Sequence, residues 1–370
     1  MSWHFAYQSA CEADKALPRE ELVAHEELTS LVLNGNAHER FSNRVDDKEL
    51  ATLCKALSSA PAVTEVDLSY NKISDEGAIA LADVLKRNTT IQFISLAHND
   101  IGTAGARALA DALMLNMTVA TLSLRNNPIG DAGGLAFGTM LRGNNTLQSL
   151  DLGCCELQTK ALVSVALALL SHPVLCSIKL DKPLLRGPQE VHTVVQHLCQ
   201  TIARNNKLVE LSLDYFGLYD DHIAVMTPPL VQNEMLKSLS LAGNKLTVDG
   251  AMSLVKVLSR RPDIVNLNLN GNIIDDGGAV ALALAVRSHP SLERLSLLNT
   301  ALGDRGLVAI VDAVAASRSL RQLYLWGNDF TGPRAATAVW QHKAKLEALD
   351  YIDIEWYTVD DKPKICQRND

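Results

Sequence analysis

At 370 residues the chain is longer than a usual single globular domain, and its 47% hydrophobic and 21% charged residues exclude a disordered one. A formal charge of -8 gives no general attraction to phosphate backbones, and no local basic patch stands out, which argues against nucleic-acid binding. No run reaches the roughly 18 apolar residues of a membrane span and the N-terminus lacks a signal-like apolar core, so a cytoplasmic protein is expected.

Residues 1–27 come first, and the helix-starting run Pro18-Arg19-Glu20-Glu21-Leu22 predicts an N-terminal helical cap. A repeat occupies about residues 28–345. LTSLVLNGN from Leu28 lies 35 residues before VTEVDLSYNKI, which starts at Val63; IQFISLAHNDI at Ile91, VATLSLRNNPI at Val119, LQSLDLGCCEL at Leu147 and LCSIKLDKPLL at Leu175 follow it, each 28 after the last. One interval of 33 follows, and then LVELSLDYFGL, LKSLSLAGNKL, IVNLNLNGNII, LERLSLLNTAL and LRQLYLWGNDF start at Leu208, Leu236, Ile264, Leu292 and Leu320, again 28 apart. The shared pattern is L-x-x-L-x-L-x-x-N-x-L.

The alternating L-x-L core predicts a very short strand with one face buried. The asparagine marks the turn out of it, where its amide can bond orphaned backbone groups. In the Val63 unit, Ser74 or Asp75 is a candidate N-cap, and Ala78, Leu81, Ala82 and Leu85 form one helical stripe. One such unit cannot bury its own apolar face, so about 11 units must stack into a single α/β solenoid. Parallel strands should line the concave side of a horseshoe, with helices on the convex side. The long unit at 175–207 has Pro183 in the asparagine place, and its extra residues fall between strand and helix, around Pro183 to Glu190. There Gly187 should permit a tight reversal and Pro188 suits a first helical turn. Residues 346–370 lose the helical pattern and read as a C-terminal cap and tail.

Little in the chain points to catalysis. His192, His197 and Cys199 have helical offsets of five and seven, whereas helical metal ligands want about three or four. Cys155 replaces a turn asparagine and should be buried; Cys154 is more exposed but has no evident base. Asp67, Asp151 and Asp214 lie in separate units. Seven cysteines without a C-x-x-C pair fit a reducing compartment, where the sequons at Asn88, Asn116 and Asn144 would be incidental.

The concave face offers contacts instead. Its outward residues are mostly small and polar until Tyr324 and Trp326, which favour a contact role. Arg294, Arg321, Arg125 and Lys179 add mixed charge suited to a protein partner. Pro183, Arg186 and Gly187 at the insertion form a second candidate docking site. Trp340, Tyr351 and Trp356 are expected to close the core at the solenoid's end.

The strand-helix unit of 28 residues resembles the ribonuclease-inhibitor class of leucine-rich repeats. Ribonuclease inhibitors themselves are far richer in cysteine, and the similar activator of the nuclear-transport GTPase carries a long acidic tail where this chain ends VDDKPKICQRND. Closer in its idiosyncrasies is a family of leucine-rich-repeat proteins linked to germ cells and motile cilia. LQSLDLGCCEL, IKLDKPLLRGPQE, LYLWGNDF and WYTVDDK are similar to its segments, matching at Pro183, Leu185, Gly187, Gln189, Glu190, Trp326, Gly327, Asn328, Val359 and Asp360; Asp361 replaces the family's glycine. That resemblance implies a non-enzymatic component of a cilium or flagellum axoneme, near a radial spoke. Its partners would be axonemal or radial-spoke subunits, with no cofactor, metal, nucleic acid, membrane or small-molecule substrate. The alternatives are a regulator of a small GTPase or a nuclear or nucleolar scaffold.

Overall fold

The x-L-x triplet centred on the first aliphatic residue of each L-x-L core folds as a three-residue strand, that residue buried and its two neighbours outward. The computed structural model describes residues 2–38, 43–60, 62–329, 332–360 and 362–368; Asp361 lies outside them. The chain divides into two compact units, Met1–Arg186 and Gly187–Asp370.

In the first unit, helices α1 (Trp3–Asp14) and α2 (Glu20–Val23) precede β1 (Ser30–Val32) and α3 (Asp47–Ser59). Four repeats follow as β2 (Glu65–Asp67), α4 (Asp75–Leu85), β3 (Phe93–Ser95), α5 (Thr103–Leu113), β4 (Thr121–Ser123), α6 (Gly130–Met140), β5 (Ser149–Asp151) and α7 (Thr159–Leu169), ending at β6 (Ser177–Lys179). Successive strands pair in parallel and in register, Val66 against Ile94 and Leu122 against Leu150. The α4 stripe is buried as expected, and Ser74 caps the helix, its hydroxyl accepting from the Glu76 N–H. At the other end of the unit α1 packs on α3. Trp3 and Tyr7 stack at 5.6 Å inside it, and Trp3 Nε1 donates to the Leu22 carbonyl.

The second unit runs α8 (Pro188–Arg204), β7 (Glu210–Ser212), α9 (Asp220–Gln232), β8 (Ser238–Ser240), α10 (Val248–Arg260), β9 (Asn266–Asn268), α11 (Asp275–Val286), β10 (Arg294–Ser296), α12 (Asp304–Ala316) and β11 (Gln322–Tyr324). Helices α13 (Pro333–Gln341) and α14 (Lys343–Glu347), strand β12 (Tyr351–Ile352) and the antiparallel hairpin β13 (Ile354–Val359) and β14 (Lys362–Gln367) complete it. Strand β12 pairs in parallel with β11. Among the described residues no helix is long and apolar enough to cross a membrane.

Three side-chain ladders fasten the repeats. The turn asparagine behaves as its chemistry predicts: Asn71 Nδ2 donates to the Leu33 and Leu68 carbonyls while its Oδ1 accepts the Val45 N–H. Asn99, Asn127, Asn244 and Asn272 repeat the scheme. Cys155, buried as expected, keeps only the donor half, with Sγ on the Leu124 carbonyl.

The second ladder sits where helix returns to strand. Asn116 Nδ2 donates to the Leu85 carbonyl and its Oδ1 accepts the Val119 N–H; Asn144 and Asn233 do likewise. His172 and His289 take the same place in other repeats. The asparagines of the Asn-x-Thr triplets at Asn116 and Asn144 are thus buried structural elements.

The third ladder caps several helices from the preceding repeat. Asp47 Oδ1 accepts the Ser74 and Gly77 N–H groups, and Asp220 accepts those of Thr247 and Gly250. A Cβ on Gly77 would lie 2.5 Å from Asp47 Oδ1, which is why glycine stands there. Anionic oxygens at helix N-termini satisfy orphan donors and complement the dipole.

The long unit departs from expectation. Nine positions separate Lys179 from Pro188, against eight between Ser212 and Asp220, while α8 has 17 residues and α9 has 13. The insertion is therefore mostly an added helical turn, Pro188 standing at its start as predicted. Gly187 makes no tight reversal: its φ of 165° and ψ of 178° are extended, and a Cβ there would meet nothing within 4 Å. The left-handed residue is Lys182, at φ 48°.

The closing aromatics also differ. Leu346, Ile352 and Ile354 fill the end of the core. Trp340 is 38% exposed, its ring lying under Lys343 Nζ at 4.3 Å, and Trp356 is half-buried opposite Ile365 in the hairpin. The helical stripe of α13 buries Ala335, Ala336, Ala338 and Val339, which turns Trp340 away from the core.

Candidate functional site

Along the outward strand face most polar side chains bond one another. In the first unit Asp67 accepts the Ser69 hydroxyl, which meets Ser95 Oγ at 2.7 Å. Arg125, a predicted contact residue, is held by Asp181 at 2.6 Å and lies 3.5 Å from Asp151. Asp151 is thus not isolated in its repeat, as the sequence suggested. Its burial raises its pKa above the ordinary carboxylate value, against the opposing pull of the Gly153 N–H, Arg125 and Lys179. Lys179 is half-buried on β6 beside Asp151. Both cations serve this internal charge cluster.

At the insertion, Pro183 is half-buried and Arg186 exposed within the first unit, with Leu184 also exposed beside them. Gly187 opens the second unit, before α8.

In the second unit Asp214 accepts the Ser240 hydroxyl and the Ala242 N–H, and Asn270 accepts those of Ser296 and Leu298. Self-satisfaction ends at the last three strands of the parallel sheet. The ring of Tyr324 meets that of Tyr351 at 5.0 Å, tilted by 32°, and both are half-buried. Tyr351 therefore belongs to the outward face and does not plug the core. It pairs with Gln322, and strand alternation sends Ile352 inward. Trp326 follows Tyr324 by two and is half-buried. Its backbone N–H and that of Leu325 donate to Asp353, whose buried carboxylate anchors the turn that carries the indole.

The predicted cations Arg294 and Arg321 stand at this same end. Arg294 is exposed, and its Nε donates to Gln322 Oε1 at 2.7 Å; Arg321 is exposed and 3.9 Å from an equally exposed Asp350. Sequence reading missed Arg368, whose guanidinium lies 6.0 Å from the centre of the Tyr351 ring. Its place follows from the hairpin, which no repeat register announces. The strand alternation in Tyr351-Ile352-Asp353-Ile354 was the available signal for Tyr351. Among the described residues no cluster of three or more His, Cys, Asp or Glu could hold a metal ion.

A leucine-rich-repeat family model matches residues 61–82, 87–110, 115–138, 143–166, 232–255 and 264–283, each spanning a strand-turn-helix unit of the fold. The chain is a leucine-rich-repeat protein. Mouse leucine-rich repeat-containing protein 34 is similar at 31% identity over 104 residues, 28% of this leucine-rich-repeat chain and 25% of that protein's length. Among solved structures, leiomodin-1 actin-binding site 2 is similar at 25% identity and a TM-score of 0.34, covering 40% of this chain and 87% of that one. An internalin from Listeria monocytogenes covers 94% of both chains at 16% identity and a TM-score of 0.44.

Proposed function

We propose that this protein is a non-catalytic scaffold that docks another protein on the outward strand face at the C-terminal end of its parallel strands. The observation that carries the reading is the change in character along that face. Small polar residues bond one another across the strands until Tyr324, Tyr351 and Trp326 present half-buried rings with exposed arginines beside them. Rigid aromatic side chains and arginine are the residues that dominate protein-protein hot spots.

The finer reading is a built-in component of a cilium or flagellum axoneme, near a radial spoke, with axonemal subunits as partners. Its support is the likeness of the LQSLDLGCCEL, IKLDKPLLRGPQE and LYLWGNDF segments to a family linked to motile cilia. The insertion at Pro183, Arg186 and Gly187 is proposed as a second contact.

The test is to express the tagged chain in a ciliated cell, extract axonemes with detergent and assay the pellet. The protein should pellet, and Trp326→Ala should release it to the supernatant while its thermal midpoint stays near that of the parent. Complete solubility of the parent chain sinks the axonemal reading; a Trp326→Ala variant that unfolds would place the indole in the cap.

A further inference from the structure

The face proposed above also indicates what it binds. Three of the better-buried arginines elsewhere in the chain are neutralised within the fold. Arg19 is bonded to Glu49, Arg125 to Asp181 and Arg261 to Asp263. Arg294 differs: its Nε–H donates to an amide oxygen, Gln322 Oε1, and among the described residues it has no carboxylate partner. Gln322 Oε1 also lies 3.4 Å from Tyr324 Oη, so one amide ties the arginine to the aromatic pair. The guanidinium is thereby oriented in advance, which reduces what is lost when a ligand fixes it.

The charge along the unit's outward rows points the same way. The β7 end carries Glu210 and Asp214. From β9 to β11 the strand residues that face outward are Asn266, Asn268, Arg294, Ser296, Gln322 and Tyr324, and Arg294 is the single charge among them. Arg321 and Arg368 stand at the margin. Of the carboxylates close by, Asp350 is 3.9 Å from Arg321, exposed Glu293 precedes Arg294 in the chain, and Asp353 has its oxygens taken by the Leu325 and Trp326 N–H groups. A carboxylate arriving over Tyr351 would give Arg294 the partner that the fold does not supply.

We propose, resting on the docking face described above, that the site captures a segment of a partner protein in which an acidic side chain adjoins an aromatic or large aliphatic one. The carboxylate pairs with Arg294 and the apolar group packs on Tyr324, Tyr351 and Trp326. Arg-carboxylate pairing supplies specificity by geometry, and the rings supply desolvation.

Fluorescence anisotropy of three labelled peptides against the full chain tests this. One peptide alternates Glu and Phe, one replaces Glu by Lys, and one replaces Phe by Ser. The Glu-Phe peptide should bind best, and its affinity should fall with added salt. Arg294→Gln and Trp326→Ala should each weaken it by about tenfold or more, a typical hot-spot loss. Arg107→Gln, on the exposed side of α5 in the first unit, should change nothing. Equal or better binding of the Lys peptide overturns the proposal, as does no binding of any peptide. Equal binding of the Phe-less peptide also overturns it, because it would mark a polyanion site. If axonemal pelleting depends on Trp326 but not on Arg294, the docking face stands and the acidic partner falls. If pelleting depends on neither, the docking face itself is wrong.

Discussion

His289 Nε2 donates to the carbonyl oxygen of Arg261 at 3.0 Å, so a histidine completes a ladder that asparagine builds in other repeats. Its Nδ1 accepts the Leu292 N–H at 2.9 Å, which requires the neutral ring with its proton on Nε2. Burial lowers the His289 pKa below the ordinary imidazole value, with a partial offset from the Arg261 carbonyl. A depressed histidine contributes stability that is present above its unfolded pKa and lost as pH falls through the folded one. His172 and His222 are lowered by burial in the same sense. His289→Asn should therefore hold stability within about 1 kcal/mol at neutral pH and flatten the loss on acidification. Urea denaturation at neutral and mildly acidic pH measures both; an unchanged acid slope would remove His289 from the account.

Asp276 Oδ1 accepts the Gly303 and Gly306 N–H groups at the first turn of α12. Asp276→Ala should cost about 1–2 kcal/mol, the usual worth of an N-cap. Asp276→Asn should retain part of that, since one acceptor oxygen remains. Both are read from the urea midpoint at constant m-value; equal losses would assign the effect to charge alone.

Asn272 is buried and bonds the Leu241 and Leu269 carbonyls and the Leu246 N–H, with a longer contact to the Asn270 carbonyl. Removing its amide leaves the Leu269 carbonyl and the Leu246 N–H without their side-chain partner, while Asn244 Nδ2 still donates to the Leu241 carbonyl. Asn272→Ala should cost about 2–4 kcal/mol, from roughly 1–3 kcal/mol per buried unsatisfied group, and thermal unfolding checks it. Asn272→Thr should recover part of the loss, because Thr300 makes the equivalent bond to the Leu297 carbonyl. A threonine variant as unstable as the alanine would disprove that donor equivalence.

Burial pushes the thiols of Cys54 and Cys155 up to about 12 and that of Cys199 up to about 11. Cys154, Cys176 and Cys366 are half-exposed. Maleimide treatment of the folded chain should label those three first, with Cys54 and Cys155 reacting only after denaturant is added. Mass mapping of the adducts decides it, and early labelling of Cys155 would show that its repeat opens.

The ladders show where reading by sequence succeeds. Asn71 and Asn99 recur at fixed spacing with a turn chemistry that names their job, and the structure gives them that job. Asp47, Asp75 and Asp276 recur as regularly, yet they cap the helix of the following repeat, and no local rule assigns a carboxylate to a turn about 27 residues away. His289 and Asn116 share a function visible only when their backbone partners are known. Arg125 read as a contact residue because its nearest carboxylate partner, Asp181, is 56 positions distant.

By itself the sequence determined the period, the strands, the inward aliphatic residues and the turn asparagines, because each follows from alternation and hydrogen-bonding capacity within one repeat. Only tertiary structure decided which polar residues satisfy one another and which aromatics stay on the surface. Those outcomes depend on contacts between neighbouring repeats and on how the terminal strand and hairpin fold back. Trp340 turned outward, Tyr351 joined Tyr324 on the strand face, and the insertion became a turn of helix, each through packing that residue order does not encode locally.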